Sequence, residues 1–330
     1  DRASIIPISL PLPLPHPAPE SVNVYLIQAD PLTLVDTGLK DDASLESLGR
    51  ALAQHGFGFH SIQRILITHG HVDHFGAARE LQRRSGAEVL ISAEDLPKVT
   101  DASPLMDGYE QSLQQAGIPR KIIDDISQIE KLMGNYSEPL ETVTTITAGS
   151  ALEFEHFSLE LLHLPGHSSG HTALYWPGEK TLIAGDMVLP HITTIPVVEF
   201  NLSSGGGQRS LSLKQMLGSL RRLCELDLDL VFPGHGAPIM EPRSLIGSRI
   251  AFYEKRLEEV YALLKASGPQ TPYHLALAYF KWVKGFNLLL AVCEIIVNLD
   301  LLVHQGRASE EVVDGTSVFT SVQRDGVVGS

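Results

Sequence analysis

Short apolar runs bounded by Gly, Pro, Asn and Asp recur through the first two-thirds of the chain. They predict strands at residues 23–27, 32–35, 64–67, 88–92, 142–146, 152–154, 159–164, 172–176, 181–184 and 228–232. Between them the period changes. Leu45, Leu48 and Leu52 repeat at helical spacing with Gly56 as a stop, residues 77–84 read as a helix, and residues 211–226 as an amphipathic one. Alternating strands and helices predict an α/β protein. Two stretches break this rhythm. Residues 104–136 carry helical spacings in Leu105, Tyr109 and Leu113 and again in Ile122, Ile126 and Ile129. They form a helical insertion, expected either as a lid or pocket wall, with Tyr109 a candidate pocket residue, or as a structural excursion away from any site. Near the start, Pro11, Pro13, Pro15, Pro17 and Pro19 alternate with Leu12, Leu14, His16 and Ala18. Proline removes ladder donors, so this predicts an extended edge segment; its composition also suits a proline-rich ligand for a partner domain. Gly205-Gly206-Gly207 reads as loop.

After Pro238 the character changes. Residues 245–266, 272–282 and 287–303 predict three helices, and residues 311–313 and 318–322 flank the hairpin signal Asp314-Gly315-Thr316-Ser317. Three helices and a terminal hairpin predict a winged-helix-like module. The expected division is therefore a larger domain over 1–240 and a smaller one over 241–330, which suits 330 residues.

The chemistry concentrates in Thr68-His69-Gly70-His71-Val72-Asp73-His74-Phe75-Gly76, which follows an apolar strand and packs four metal-ligand side chains into six residues. Three imidazoles and a carboxylate that close are costly to bury without a cation. Further ligands follow other predicted strands: His167 in Leu164-Pro165-Gly166-His167, Asp186 in Ala184-Gly185-Asp186, and His235 in Pro233-Gly234-His235-Gly236. Seven ligands are too many for one tetrahedral ion and fit two ions sharing a bridge. Asp186 is the best bridge, because a carboxylate offers two oxygens. Histidine and carboxylate without cysteine suit zinc, iron or manganese, zinc first. Two divalent ions would lower the pKa of bound water enough to supply hydroxide near neutrality, with Asp73 orienting it, so no serine nucleophile is required. Ser168 and Ser169 are read as loop polarity.

The composition, 43% hydrophobic and 19% charged, is that of a globular protein, and no apolar run is read as approaching the ~18 residues of a membrane span. A formal charge of −14 argues against nonspecific binding to nucleic acid or anionic lipid. Cys224 and Cys293 are expected as buried thiols, consistent with a reducing cytoplasm, although the start at Asp1 leaves room for a removed leader.

The pattern His69-x-His71-x-Asp73-His74, then His167, Asp186 and His235, resembles the metallo-β-lactamase-fold superfamily over about residues 20–240. The resemblance implies a four-layer αβ/βα sandwich with metals at one edge. It implies that His69, His71 and His167 hold one ion, Asp73, His74 and His235 the other, and that Asp186 bridges. Asp36 matches an aspartate that orients ligands in such proteins. The bridging aspartate sets the chain apart from true β-lactamases and places it nearer the glyoxalase II, lactonase and thioesterase branch, which Leu164–Thr172 resembles most. The tyrosine that many lactonases carry after the bridging aspartate is absent. His191 could take a comparable polar role beside the substrate, and His171 could support the ligands. His163 is expected to pack within its strand, and His55, His60, His156, His274 and His304 to lie at the surface.

The leading expectation is a dinuclear hydrolase of a small ester, thioester or lactone. The alternatives are a metal-dependent endoribonuclease or phosphodiesterase, a mononuclear-iron sulfur dioxygenase, and a non-enzymatic reading in which the metal is structural. Residues 241–330 hold nine Lys/Arg against ten Asp/Glu, poor support for gripping RNA. The tail is expected to complete the pocket or to form a homodimer contact.

Overall fold

In the computed structural model, residues 4–13, 19–101, 110–147, 149–199 and 209–322 are described; Leu105, Tyr109, Pro15, Pro17 and Gly205-Gly206-Gly207 lie outside them. One sheet has six strands in the order β1 (Ser4–Pro11), β2 (Ser21–Gln28), β3 (Thr33–Val35), β4 (Arg64–Leu66), β5 (Glu88–Ser92) and β6 (Thr144–Ile146). The first three are antiparallel neighbours and the rest pair in parallel. The other sheet has five, in the order β11 (Leu230–Pro233), β10 (Thr181–Gly185), β9 (Thr172–Trp176), β8 (Ser158–His163) and β7 (Ala151–Glu153). Here only β10 and β11 run parallel.

The layers follow from which faces are apolar. Tyr25, Ile27, Val35 and Leu66 of the first sheet pack against Leu159, Leu161, Leu174 and Ile183 of the second, forming the inter-sheet core. On the first sheet's outer face, Leu34, Ile65 and Val89 meet Leu48 and Leu52 of α1 (Asp42–Gln54) and Leu81 of α3 (Ala78–Ser85). On the second sheet's outer face, Leu162, Ala173 and Leu182 meet Leu213, Met216 and Leu220 of α7 (Ser212–Glu225). Helix, sheet, sheet, helix is the four-layer αβ/βα sandwich expected. Cover on both faces explains why the inner strands β2, β3, β5, β9 and β10 are nearly uniformly buried.

β1 is the edge strand of its sheet, which is where Pro7 and Pro11 can sit without breaking a ladder. The insertion is helical, with residues 110–115 in α5 and Arg120–Gly134 in α6. Its Leu113, Ala116, Ile118, Ile123 and Ile126 join the cluster that also contains Leu275 and Leu288 of the C-terminal helices. It therefore walls the C-terminal region rather than standing free.

Three helices, α8 (Pro242–Ser267), α9 (Pro272–Tyr279) and α10 (Phe286–His304), precede a hairpin of β12 (Ala308–Val313) and β13 (Thr316–Ser321). Asp314 and Gly315, both at positive φ, make its two-residue turn. β13 packs on α8 and α9, with Phe319 fully buried. The apolar cluster is continuous from the second sheet through α7 and α8 to α10, so the core has no break at residue 240. One expectation is corrected here. α10, with 19 residues and mean hydropathy 2.1, is long and apolar enough to cross a membrane. Of that stretch 72% is instead buried inside the protein, because α7, α8 and α9 surround it. Glu294 and Asp300 interrupt the run, so no unbroken apolar stretch of that length marks it in the sequence. Cys293 is buried and Cys224 half-buried, and no disulfide joins them.

Candidate metal centre

Each candidate ligand sits just past a strand, at one edge of the two sheets. β4 leads to His69 and His71, and the single turn α2 (Val72–Phe75) carries Asp73 and His74. The loops after β8, β10 and β11 carry His167, Asp186 and His235. The sheets are tied together at this edge. Thr172 N donates to Thr68 O at 2.8 Å and Asn23 N to Gly234 O at 2.7 Å, and Tyr25 Oη donates to Pro233 O at 2.5 Å. The bulge in β10 between Ile183 and Gly185 turns Asp186 into the site. Gly185 has φ +49 there, and a Cβ would stand 2.9 Å from His171 Nε2 and 3.0 Å from Thr68 Oγ1, so only glycine fits.

All seven side chains converge. His69, His71 and His167 form one group, Asp73, His74 and His235 a second, and His69, His74 and Asp186 a third that joins them. His69 Nε2 and His71 Nδ1 are 3.1 Å apart. Asp186 lies between the groups: Oδ2 is 3.6 Å from His167 Nε2 and 3.4 Å from His235 Nε2, and Oδ1 is 3.4 Å from His74 Nε2. Asp73 Oδ2 is 3.3 Å from His235 Nε2 and 3.8 Å from His74 Nε2.

The remaining ring nitrogens are held from behind. His167 Nδ1 donates to Ile195 O at 3.0 Å and His235 Nδ1 to Ser21 O at 2.7 Å. His74 Nδ1 lies 2.8 Å from Asp36 Oδ2, and His69 Nδ1 3.0 Å from Thr68 Oγ1. A proton fixed on Nδ1 leaves the Nε2 lone pair aimed at the centre. Asp36 itself adopts φ +60 and also accepts Thr68 N and Thr68 Oγ1, each at 2.8 Å. A left-handed aspartate at a strand end places one carboxylate against both the ligand loop and a ligand. His171 is buried, and its Nε2 accepts Asp186 N–H at 3.1 Å, so it steadies the bridging position rather than joining the converging nitrogens. His191 is exposed; a Cβ on Gly236, the residue after His235, would be 3.8 Å from its Cδ2.

Charge divides the site in two. Burial, then the neighbouring imidazoles, holds His69 well below the usual imidazole range and His71 at about 3; burial also lowers His167. For His74 and His235 burial pulls downward too, but Asp186 and Asp73 outweigh it, lifting His74 well above its usual value and His235 to about 10. Burial would raise Asp186 and Asp73, yet His74 and His235 hold both below the usual carboxylate range. One side is thus a neutral imidazole trio and the other a pair of carboxylates neutralised by protons that a cation can replace. The fit to divalent cations also rests on unmet donors and acceptors. His74 Nε2, His167 Nε2 and Asp186 Oδ1 are buried and make no hydrogen bond among the described residues. Such atoms are expensive unless something coordinates them.

A second network, invisible in the sequence, lies behind the first ligand group. Asp95 is fully buried and accepts Gly70 N at 2.7 Å and Gly170 N at 2.9 Å. Lys98, on the short helix α4 (Leu96–Thr100), donates from Nζ to Asp95 Oδ1 at 2.8 Å, to Ser168 Oγ at 2.6 Å and to Glu199. Glu199 also accepts Ser169 N at 2.7 Å. Ser168 and Ser169 are therefore more than loop polarity: they join the two histidine loops to this ion cluster. Asp95 and Lys98 lie three residues apart, but Gly70, Ser168, Gly170 and Glu199 come from separate segments, so no spacing marks the cluster in advance. His163 Nε2 donates to Ser169 O at 2.7 Å, while His55, His60, His156, His274 and His304 are exposed, in line with their expected surface positions.

Asp36→Asn tests the support behind His74. The amide can accept at only one atom and must present N–H to Thr68 or His74, so cation affinity should fall about 10–100-fold. Chelator competition measures this, and wild-type affinity would remove Asp36 from the account.

The comparisons agree with this geometry. The Metallo-beta-lactamase superfamily model matches residues 17–235. The probable metallo-hydrolase YqjP of Bacillus subtilis (strain 168) is 28% identical over 311 residues, covering 92% of this chain and 94% of that protein. The hydroxyacylglutathione hydrolase GloC of Haemophilus influenzae is 28% identical over 128 residues, 39% of this chain and 50% of that protein. The crystal structure of a metallo-beta-lactamase family protein from Thermus thermophilus superposes with a TM-score of 0.82 at 26% identity, over 96% of this chain and 98% of that one. A ligand cluster built for divalent metal ions at the edge of such a sandwich, in a chain that matches along nearly its whole length, places this protein in the metallo-beta-lactamase superfamily as a metallohydrolase.

Proposed function

We propose that the protein is a dinuclear zinc hydrolase that cleaves a small ester, thioester or lactone, with thioesters its main substrates. The observation that carries the dinuclear reading is the position of Asp186, whose two oxygens lie 3.4–3.6 Å from histidines of both groups. In this reading His69, His71 and His167 hold one ion, Asp73, His74 and His235 the other, and Asp186 both. A donor set of imidazole and carboxylate without thiolate favours zinc, with iron and manganese as competitors. When bound, the two ions supply a nucleophile from water near neutral pH and Lewis acidity toward a carbonyl oxygen.

The chain's own residues do the rest. Asp73 is partly exposed and held anionic by His74 and His235, so its Oδ2 can take a hydrogen bond from the attacking water and orient it. Asp36, Thr68 and the carbonyls of Ser21 and Ile195 keep the imidazoles from rotating. His191, exposed beside Gly236, is assigned to the substrate side. Support for thioesters comes from the hydroxyacylglutathione hydrolase among the relatives, an enzyme named for a thioester substrate. The formal charge of −14 weighs against a nucleic-acid substrate.

The test is metal-depleted protein assayed against thioesters, lactones, aryl esters and RNA as zinc is returned. Thioester hydrolysis should reappear and saturate at two equivalents. Metal-dependent RNA cleavage with no ester turnover, or oxygen uptake with one iron, would replace this reading.

A further inference from the structure

Between Asp186 and Glu199 the chain has neither helix nor strand, yet Met187, Val188, Leu189 and Thr194 are buried. An irregular buried run must satisfy its backbone through other groups, and here they come from two directions. From outside, α8 supplies Arg249 and Tyr253, four residues apart and so on one helix face. Arg249 Nη2 donates to Leu189 O at 3.0 Å and Pro190 O at 3.2 Å, and Nη1 to Thr193 Oγ1 at 3.3 Å. Tyr253 Oη donates to Thr194 O, and Tyr253 is 5% exposed. From inside, the same run touches the metal centre. Thr194 Oγ1 donates to Asp186 O at 2.6 Å, and Ile195 O accepts His167 Nδ1 at 3.0 Å. Its far end is fixed through Glu199 to Lys98 and Ser169.

Thr194 and Ile195 are adjacent, so the hydroxyl that holds Thr194 O also limits where Ile195 O can go. That carbonyl decides which way the His167 ring faces. We infer that Tyr253 and Arg249 are positioning residues for the His167 and Asp186 side of the metal centre, acting through the strap of residues 189–195. The C-terminal helices then contribute to catalysis without a residue of theirs touching a cation. This rests on the dinuclear reading above, and it assigns α8 a role that no ligand motif reveals.

The experiment measures zinc affinity by chelator competition, and the visible spectrum of the cobalt-loaded protein, for Tyr253→Phe and Arg249→Gln. Tyr253→Phe keeps the ring and its packing and removes only the hydroxyl. Tyr261→Phe is the control: it lies on the same helix, and its hydroxyl also donates to a backbone carbonyl, Val322 O at 3.4 Å, far along the chain from the strap. We expect about tenfold weaker binding of one of the two ions for Tyr253→Phe, in the range seen when groups behind a ligand are removed. The cobalt spectrum should change, and Tyr261→Phe should bind as the wild type does. Unchanged affinity and spectrum in both strap variants would overturn the inference, as would an equal loss in Tyr261→Phe. If wild type and variants bind two ions alike but hydrolyse no ester, the proposed substrate falls and this inference falls separately. If the wild-type chain binds no divalent ion, both fall together.

Discussion

Asp186→Ala should abolish tight binding of both cations and lower kcat/KM by about a thousandfold or more. Among the described residues no other carboxylate reaches histidines of both groups: Asp73 faces only His74 and His235, and no imidazole offers two atoms on one side. Removing the carboxylate leaves His74 facing Asp73 and Asp36 and His235 facing only Asp73, so the second group loses one of the two carboxylates that its histidines share. Losing Lewis-acid stabilisation is worth several kcal/mol, and about 4 kcal/mol corresponds to about a thousandfold in rate. Metal analysis after gel filtration, alongside kinetics, gives the answer. Two retained ions would show that Asp186 does not bridge.

Gly234→Ala should be nearly as damaging, although glycine has no side chain to contribute. A Cβ at this position would stand 2.0 Å from Asp186 Oδ1, 2.9 Å from His74 Cε1 and 3.1 Å from the Gly185 carbonyl carbon. The backbone cannot retreat, because Gly234 N donates to Gly185 O at 2.6 Å and Gly234 O accepts Asn23 N at 2.7 Å. The methyl therefore displaces the carboxylate, and a shift of about 1 Å in a positioned group costs on the order of a hundredfold in rate. Circular dichroism should show a folded protein, metal analysis fewer than two ions, and kinetics a loss of at least that size. Normal metal content with normal kcat/KM would mean that the close approach at Gly234 is not what shapes the centre.

The parts of the molecule that are readable in advance share a physical property: their signal is local. The His69–His74 run places four donors within one loop and one helical turn, so their convergence needs no tertiary knowledge. Strands such as Glu88–Ser92 and Thr172–Trp176 are readable because burial on both faces leaves unbroken apolar runs. Position after predicted strands offers His167, Asp186 and His235 as further ligands, and the resemblance to a family adds how the seven divide between two ions and that the layers number four.

What stays hidden depends on contacts between distant segments. The strand Ser4–Pro11 carries two prolines, which count against a strand unless it is known to lie at an edge. Asp95, Lys98 and Glu199 each look like surface charges, and only the fold turns them into a cluster, Asp95 buried and the other two half-buried, behind His71 and His167. The strap after Asp186 has no periodicity, so nothing in it announces its attachment to Arg249 and Tyr253. The long apolar helix Phe286–His304 shows the converse problem: its composition satisfies two opposite environments, and packing against α7, α8 and α9 decides between them.

Anomalous diffraction at the zinc edge, from crystals grown with zinc, locates the cations directly. Two peaks are expected on either side of the Asp186 carboxylate, one among His69, His71 and His167 and one among Asp73, His74 and His235. A single peak, or peaks away from these residues, would contradict the dinuclear reading.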